Sequence, residues 1–419
     1  MKKPTGPLGQ LNSHSKDVKI IGAGISGLIV GYFLKKNGFN VSIYEKESKV
    51  GGKIGTIQTS NGQAETAANA VFTNDDVLEL MDELKLDYIK ASEGLKKYVW
   101  RNNRATTPPF KWFEVFRFII GGFKRIDFKN IEEKSIYDFF NPMLGKYFTK
   151  EIMSAALGGV YAQPTSVIHF KSVFKSPIKS KTYFGFIKDL IAQKRSSSKS
   201  KATSISFQNG MQDFIDRLKQ ELEENIFHQE IKAIDKNENI IICTDAIEAS
   251  KLLCDKKEIS RELGKIKYNS MITSTIITNK EIPYLNKAFG LVIPPEANLK
   301  TLGILSNTSI FLSRVKNKSH FSYTLLTKND DPYSNIKETI HKEIQVISDL
   351  QPSNIIEIEN TKWDQAIPIY DLNRYNAIIK LRSLFLNREN GLVLFGNYID
   401  GISIREIISH AKSFASNNS

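Results

Sequence analysis

The first apolar cluster of the chain, Val18-Lys19-Ile20-Ile21, has the length of one buried strand. Residues 25–37 then read as a helix that Gly38 closes, and Val41-Ser42-Ile43-Tyr44 as a second strand. This order predicts a βαβ unit at the start of an α/β domain. Residues 75–86 place Val77, Leu78, Leu80, Met81 and Leu84 on one side of an amphipathic helix. Past Pro108 the pattern changes. Phe110, Trp112, Phe113, Phe116, Phe118, Ile119, Ile120 and Phe123 are interleaved with Lys111, Arg117, Lys124 and Arg125. Residues 135–140 and 149–157 read as helical, and residues 194–204 (KRSSSKSKATS) as a basic, mobile loop.

A further amphipathic helix is predicted over residues 211–224. Between 268 and 328 the pattern becomes β-rich, with strands at 271–278, 291–293, 302–305 and 321–326 and a turn at Pro294-Pro295. Residues 336–350 return to a helix, with Pro352 just beyond its end. A buried strand at 391–395, a turn at Gly396-Asn397 and a helix over 403–414 finish the chain. No internal repeat is present. The expected organisation is a dinucleotide-binding domain built from residues 18–75, 201–265 and 356–419. A helical insertion occupies 76–200 and a β-rich substrate domain 266–355.

The length of 419 residues fits this division, being too great for one ordinary core. Apolar residues at 41% and charged residues at 25% exclude collagen-like and wholly disordered chains. Two cysteines, Cys243 and Cys254, make neither a disulfide scaffold nor a four-thiolate zinc site, and the six histidines lack ligand spacing. No metal site is expected. The net charge of +13 suits an anionic membrane surface or an acidic small molecule, and a lysine-rich composition alone also accounts for it. No recognised nucleic-acid motif appears, so nucleic acid is not an expected partner. Residues 1–17 lack an apolar segment and read as a flexible leader rather than a secretory signal. The longest apolar stretch, 20–34, is broken by Gly22, Gly24, Gly27 and Gly31, which argues against a membrane span. A cytoplasmic protein, peripheral on the inner face of the membrane if the insertion meets lipid, is expected.

Those glycines carry the first chemical signal. Gly22-Ala23-Gly24-Ile25-Ser26-Gly27 fits G-x-G-x-x-G between a strand and a helix. Gly22 permits the tight turn, Gly24 a close approach of backbone to pyrophosphate, and Gly27 close packing of helix on strand. The amides of Ile25 and Ser26 open the helix, where free N–H groups and a partial positive charge favour phosphate. Glu45 closes the second strand eighteen residues after Gly27, where a carboxylate accepts from both ribose hydroxyls. Lys49-Val50-Gly51-Gly52-Lys53 follows. A second glycine pair with a cation suits a longer two-phosphate cofactor, FAD rather than NAD.

These residues resemble the flavin amine oxidase and protoporphyrinogen oxidase superfamily, whose pattern adds Arg-x-Gly-Gly-Arg after the Glu. Here Lys49 and Lys53 stand for the arginines and lose the bidentate fork. The protoporphyrinogen oxidase branch is suggested by Ser135-Ile136-Tyr137-Asp138-Phe139-Phe140, Leu144-Gly145 and Gly159-Val160-Tyr161-Ala162. Residues 206–212 (SFQNGMQ), Trp363 to Tyr370 (WDQAIPIY) and Gly396 to Ser403 (GNYIDGIS) add to it. The resemblance runs from about residue 18 to 414. It implies FAD as cofactor, with Lys46, Gly52 and Lys53 joining the glycine turn and Glu45. Asn69 and Ala70 match the stretch near the flavin, residues 229–231, ending at Ile231, a strand meeting the adenine, and Trp363 a side chain against the cofactor. Trp363 as ordinary core is the alternative. Gly396 and Asn397 turn the chain beneath the flavin. Ile402 and Ser403, with Ile404, offer helix-start amides to the flavin edge that becomes anionic on reduction.

Two departures stand out. No Lys or Arg lies between Ile54 and Leu84, where some members carry an arginine for a substrate propionate, and Gln163-Pro164 replaces the usual Gly-Asp. The implied activity is oxidation of protoporphyrinogen IX, six electrons in three turnovers, each passing a hydride to the flavin. No catalytic side chain is expected, because the protein positions the macrocycle and tunes the cofactor. Oxygen or a quinone would accept the electrons. Coproporphyrinogen is an open alternative substrate. So are an amine oxidase or polyene desaturase activity, and a non-catalytic flavin or porphyrin carrier. Residues 110–125 suit a lipid interface or, alternatively, a buried helix with a basic rim.

Overall fold

The computed structural model describes residues 6–107, 112–196, 202–235, 238–329, 335–386, 391–399 and 401–418. Side chains of residues 112–114 and 193–196 lie outside the description.

Five parallel strands form the dinucleotide-binding sheet, in the order Ile226–His228, Asn40–Glu45, Asp17–Ile21, Asn239–Ile242, Leu392–Leu394. Parallel strands are buried on both faces, which is why Ile20, Ile43, Ile241 and Val393 are all sealed from solvent. Ile25–Lys36 crosses between the first two strands, and Leu28, Ile29 and Leu34 anchor it to the sheet. The final helix, Ile404–Asn418, packs beside it through Ile407, Ile408 and Ala411. The expected α/β class with a Rossmann-like domain, a β-rich domain and helical additions is the observed one.

The leader is a correction. Its described part is laid along the open edge of this sheet rather than left flexible. Leu8 exchanges backbone hydrogen bonds with Leu394 at 3.0 and 2.8 Å, and Gly391 donates to Gln10 O at 2.8 Å. The buried Asn239 side chain accepts from Asn12 N at 2.6 Å and donates to the Asn12 and Ser15 carbonyls. Leu8 and Leu11 supply the apolar area that holds the segment down. Pairing here removes an exposed strand edge.

The second sheet is mixed and seven-stranded: Ile355–Pro368, Tyr268–Thr278, Phe321–Lys328, Thr301–Ser306, Ala288–Val292, Lys96–Arg101, Arg104–Thr106. Only the pairing of Ala288–Val292 with Lys96–Arg101 is parallel. Ile336–Ser348 covers one face, with Ile340, Ile344 and Ile347 against Ile276, Ile304, Tyr323 and Leu325. The sheet takes strands from outside residues 266–355. Residues 96–106 come from the stretch assigned to the insertion, and most of Ile355–Pro368 from the stretch assigned to the last cofactor segment. The pairing partners decide membership here, and these lie far away in sequence.

Apart from the short strand Ile89–Lys90, the regular elements in the rest of the insertion are helices among the described residues. Trp112–Gly122, Ile136–Leu144, Ser154–Tyr161 and Tyr183–Ser196 surround Phe139, Phe140, Phe170, Tyr183 and Phe186. Phe139 stacks on Phe170 at 3.8 Å between centroids. Ser135 starts its helix with a capping box to Asp138. Of the expected mobile loop at 194–204, the first residues end a helix and Ser204–Ser206 is a strand paired with Val71–Phe72 and Ile89–Lys90. Residues 197–201 lie outside the described residues. Among the described residues, no helix is long and apolar enough to cross a membrane.

Candidate cofactor and substrate site

The glycine turn adopts the conformation its sequence requires. Gly22 has φ of +100° and donates to Tyr44 O at 2.8 Å. A Cβ at Gly27 would sit 1.9 Å from Gly22 O, so only glycine lets the helix enter this close to the strand. The helix has no side-chain cap and no acid in its first turn, which leaves the N-terminal field of Ile25, Ser26 and Gly27 available to an anion.

Glu45 is buried at the end of its strand. One carboxylate oxygen accepts from Ala23 N at 2.8 Å and the other from Glu47 N at 3.0 Å. These bonds fix the carboxylate beside the glycine turn while leaving each oxygen a further lone pair. The second glycine pair folds against the first. Gly51 donates to Ala23 O at 2.8 Å, and Gly52, with φ of +61°, lies back to back with Gly24. A Cβ at Gly24 would meet nothing nearer than Gly52 Cα at 3.9 Å, so the backbone there faces open space. That open face, bounded by helix-start amides and a ribose-height carboxylate, fits the pyrophosphate end of a dinucleotide.

The two lysines point elsewhere. Lys46 is 3.7 Å from Glu248 at the surface. Lys53 donates to the main-chain carbonyls of Gln365 and Ala366 and lies 5.6 Å from the Tyr268 ring centroid. Burial pushes its ammonium below the usual lysine range. Lys53 thus ties the second glycine turn to the β-rich sheet.

That junction continues along residues 66–70. Trp363 Nε1 donates to Thr66 O at 2.8 Å, which places its ring across the boundary between the two sheets. Asn69 O accepts from Arg314 at 3.2 Å, while Asn69 Nδ2 is buried with no protein acceptor. Ala70 follows it directly.

At the C-terminal ends of the parallel strands, a Cβ on Gly396 would approach the Tyr398 ring at 3.0 Å. Asn397 O accepts from Tyr370 at 2.6 Å. Ser403 caps the final helix. Its hydroxyl accepts from Glu406 N at 3.3 Å, and its amide donates to the Glu406 carboxylate at 3.4 Å. The Ser403 amide is therefore turned toward a carboxylate, and Ile402 precedes it in the same bend. Ile231 lies beyond the strand expected to include it. The strand ends at His228, where Gln229 N turns back to Phe227 O, and Ile231 packs half-buried against the far side of the sheet with Ile240 and Ile242.

Two groups escaped the sequence analysis. Arg314 sits in a polar loop with no motif around it, yet it is buried 2.9 Å from Glu65. Burial pushes the Glu65 carboxyl up to about 7, and the guanidinium opposes that rise. Asn269 accepts from Gln163 at 2.6 Å and donates to the Tyr161 and Ala162 carbonyls. The Gln163 departure therefore has a structural use: it binds the end of helix Ser154–Tyr161 to the β-rich sheet.

The family described as NAD(P)-binding Rossmann-like domain matches residues 20–84. The mitochondrial protoporphyrinogen oxidase of Nicotiana tabacum is 26% identical over 475 residues, covering 95% of this chain and 94% of that protein. Over almost its whole length the chain is similar to protoporphyrinogen oxidases, as its sequence motifs imply. These likenesses agree with FAD as the expected cofactor and with an FAD-dependent oxidoreductase. The fold agrees. A putative protoporphyrinogen oxidase from Exiguobacterium sp. 255-15 superposes with a TM-score of 0.77 at 15% identity, over 96% of this chain and 98% of that one. Cyclohexylamine oxidase from Brevibacterium oxydans IH-35A superposes with a TM-score of 0.67 at 11% identity, over 99% of both chains. One architecture thus serves different substrates, and the substrate of this chain must be argued from its own surfaces.

Proposed function

We propose that this protein oxidises a porphyrinogen, protoporphyrinogen IX first, in porphyrin and haem biosynthesis. The observation that carries the reading is the end-to-end similarity to the Nicotiana tabacum enzyme, which includes the helical insertion and the β-rich domain as well as the cofactor turn. When bound, FAD would supply the two-electron acceptor for a hydride leaving a ring carbon as a ring nitrogen loses a proton. The chain's own residues bind and orient. Gly22, Gly24, Gly27 and the amides of Ile25 and Ser26 receive the pyrophosphate, and Glu45 the ribose. Gly52 keeps the backbone close, and Lys53 and Trp363 hold the β-rich sheet over the cofactor domain. Gly396, Asn397 and Ile402 lie on the flavin side, where the carboxylate of Glu406 restricts what Ser403 offers. Lys46 is left to the rim, and the backbone at Ile231 meets the adenine while its side chain packs into the core. No side chain is required to act as acid or base.

The membrane side of the reading rests on helix Trp112–Gly122. Val115, Phe116, Ile119, Ile120 and Phe123 are exposed, Phe116 at 59% and Phe123 at 71%. Their spacing places them on one face. Such a face, with Arg117, Lys124 and Arg125 nearby, suits the interface of an anionic bilayer, from which a poorly soluble macrocycle would enter. The alternative of a buried helix loses support from these exposures. Phe113 lies outside the described side chains.

The amine oxidase reading draws on the cyclohexylamine oxidase likeness in fold. Turnover separates the two. Porphyrinogen oxidation yields porphyrin fluorescence above a no-enzyme control. Oxidation of amines with release of ammonia, and no porphyrin, would favour the second.

A further inference from the structure

The segment facing the cofactor lacks any cation of its own between Ile54 and Leu84. The fold delivers one from 245 residues away. Arg314 belongs to the β-rich domain, in the turn Leu312–Arg314, and its guanidinium is buried in the cofactor domain. Nη1 lies 2.9 Å from Glu65 Oε1 and donates to Gln63 Oε1 at 2.8 Å. Nη2 donates to Ser206 Oγ at 2.5 Å and to Asn69 O at 3.2 Å. Glu65 is itself held, accepting from Thr56 Oγ1 at 2.6 Å and from Met211 N at 3.0 Å. The planar fork therefore joins three separate chain segments and leaves them little freedom. Its own loop is pinned as well: Gly62 pairs with Val315, and Lys316 donates to Asn61 O at 2.9 Å.

The Asn69 end of this network is incomplete. Its carbonyl is bound, but Nδ2 is buried without an acceptor. A buried donor left unpaired is costly, and native proteins supply its partner from a water, an ion or a ligand. We propose that Arg314 is a positioning residue for the cofactor: it fixes the main chain at Asn69 so that the Asn69 side-chain amide donates to an acceptor atom of the bound flavin. This inference rests on the FAD reading. A fixed donor at an edge that gains negative charge on reduction raises the oxidising power of the flavin, and a fixed backbone keeps that donor from relaxing away.

The test uses full-length FAD-loaded protein and the variants Asn69→Ala, Arg314→Gln, Arg314→Lys and Asn69→Ala/Arg314→Gln. Flavin midpoint potential and visible spectrum are measured beside the thermal midpoint. Asn69→Ala is expected to shift the potential to more negative values with a near-native thermal midpoint, because its side-chain N–H has no protein partner. Arg314→Gln shifts it the same way, and the double variant shifts it no further than Asn69→Ala alone. Arg314→Lys recovers part of the shift. Additive shifts, or a native potential in either single variant, would overturn the proposal. Should Arg314→Gln not fold, Arg314→Lys decides, since its potential must fall between those of wild type and Asn69→Ala. A wild type that takes up no flavin overturns the cofactor reading together with the proposal; a flavin-bearing wild type with unmoved variants overturns the proposal alone.

Discussion

Glu45 shows how a single side chain is prepared for a ligand. Two backbone amides hold its carboxylate at the end of a buried strand, so its remaining lone pairs face the cofactor turn without further ordering. Glu45→Ala removes the ribose acceptor and should weaken FAD binding by roughly tenfold to a hundredfold, the equivalent of about 1–3 kcal/mol. Titration of apoprotein with FAD checks this, and an unchanged affinity would contradict the assignment. His169 makes a different prediction. It is buried between Glu132 O at 2.8 Å and Ser172 Oγ at 3.3 Å, and burial holds its imidazole below the usual histidine range. The unfolded chain protonates it first as pH falls through about 6.5. Its contribution to stability is therefore complete above that pH and is lost below it, down to the folded value. The thermal midpoint should fall more between about pH 7 and pH 5 in wild type than in His169→Gln. Glu45 was legible in the sequence because a strand-end acid follows a glycine turn at a set distance. Arg314 was not, since its partners Glu65, Ser206 and Asn69 meet it only in the folded chain.

Elements with a strong period were also legible. Ile25–Lys36 and the strands on either side of it follow from apolar runs and the closing glycine. Strand Ile355–Pro368 did not, because it is an edge strand that carries half-exposed Glu357 and Asn360 and exposed Lys362. Only its pairing with Tyr268–Thr278 makes it a strand. The leader was missed for the same reason: its polar residues are satisfied by Asn239 and by the edge at Leu394, both distant in sequence. Helix Trp112–Gly122 was legible in composition but not in orientation. Its exposed face predicts lipid binding. Phe116→Ser combined with Ile120→Ser should reduce partition onto anionic liposomes about tenfold or more, at on the order of 1 kcal/mol per side chain, with flavin content unchanged. An unchanged partition would return this face to some other role.

At the scale of the whole molecule, two sheets share one boundary, and the cofactor reading places the flavin there. Lys53 on the Gln365 and Ala366 carbonyls, Trp363 on Thr66, and Arg314 on Asn69 and Glu65 all cross it. A boundary fastened at three points keeps a shared site in register, which suits chemistry governed by position rather than by a catalytic side chain. The measurement that tests this account most directly is anaerobic mixing of the FAD-loaded protein with protoporphyrinogen IX while the visible spectrum is recorded. The account predicts bleaching of the oxidised-flavin band, then porphyrin fluorescence once air is admitted, both above a no-enzyme control. A bound flavin that stays oxidised under those conditions would contradict it.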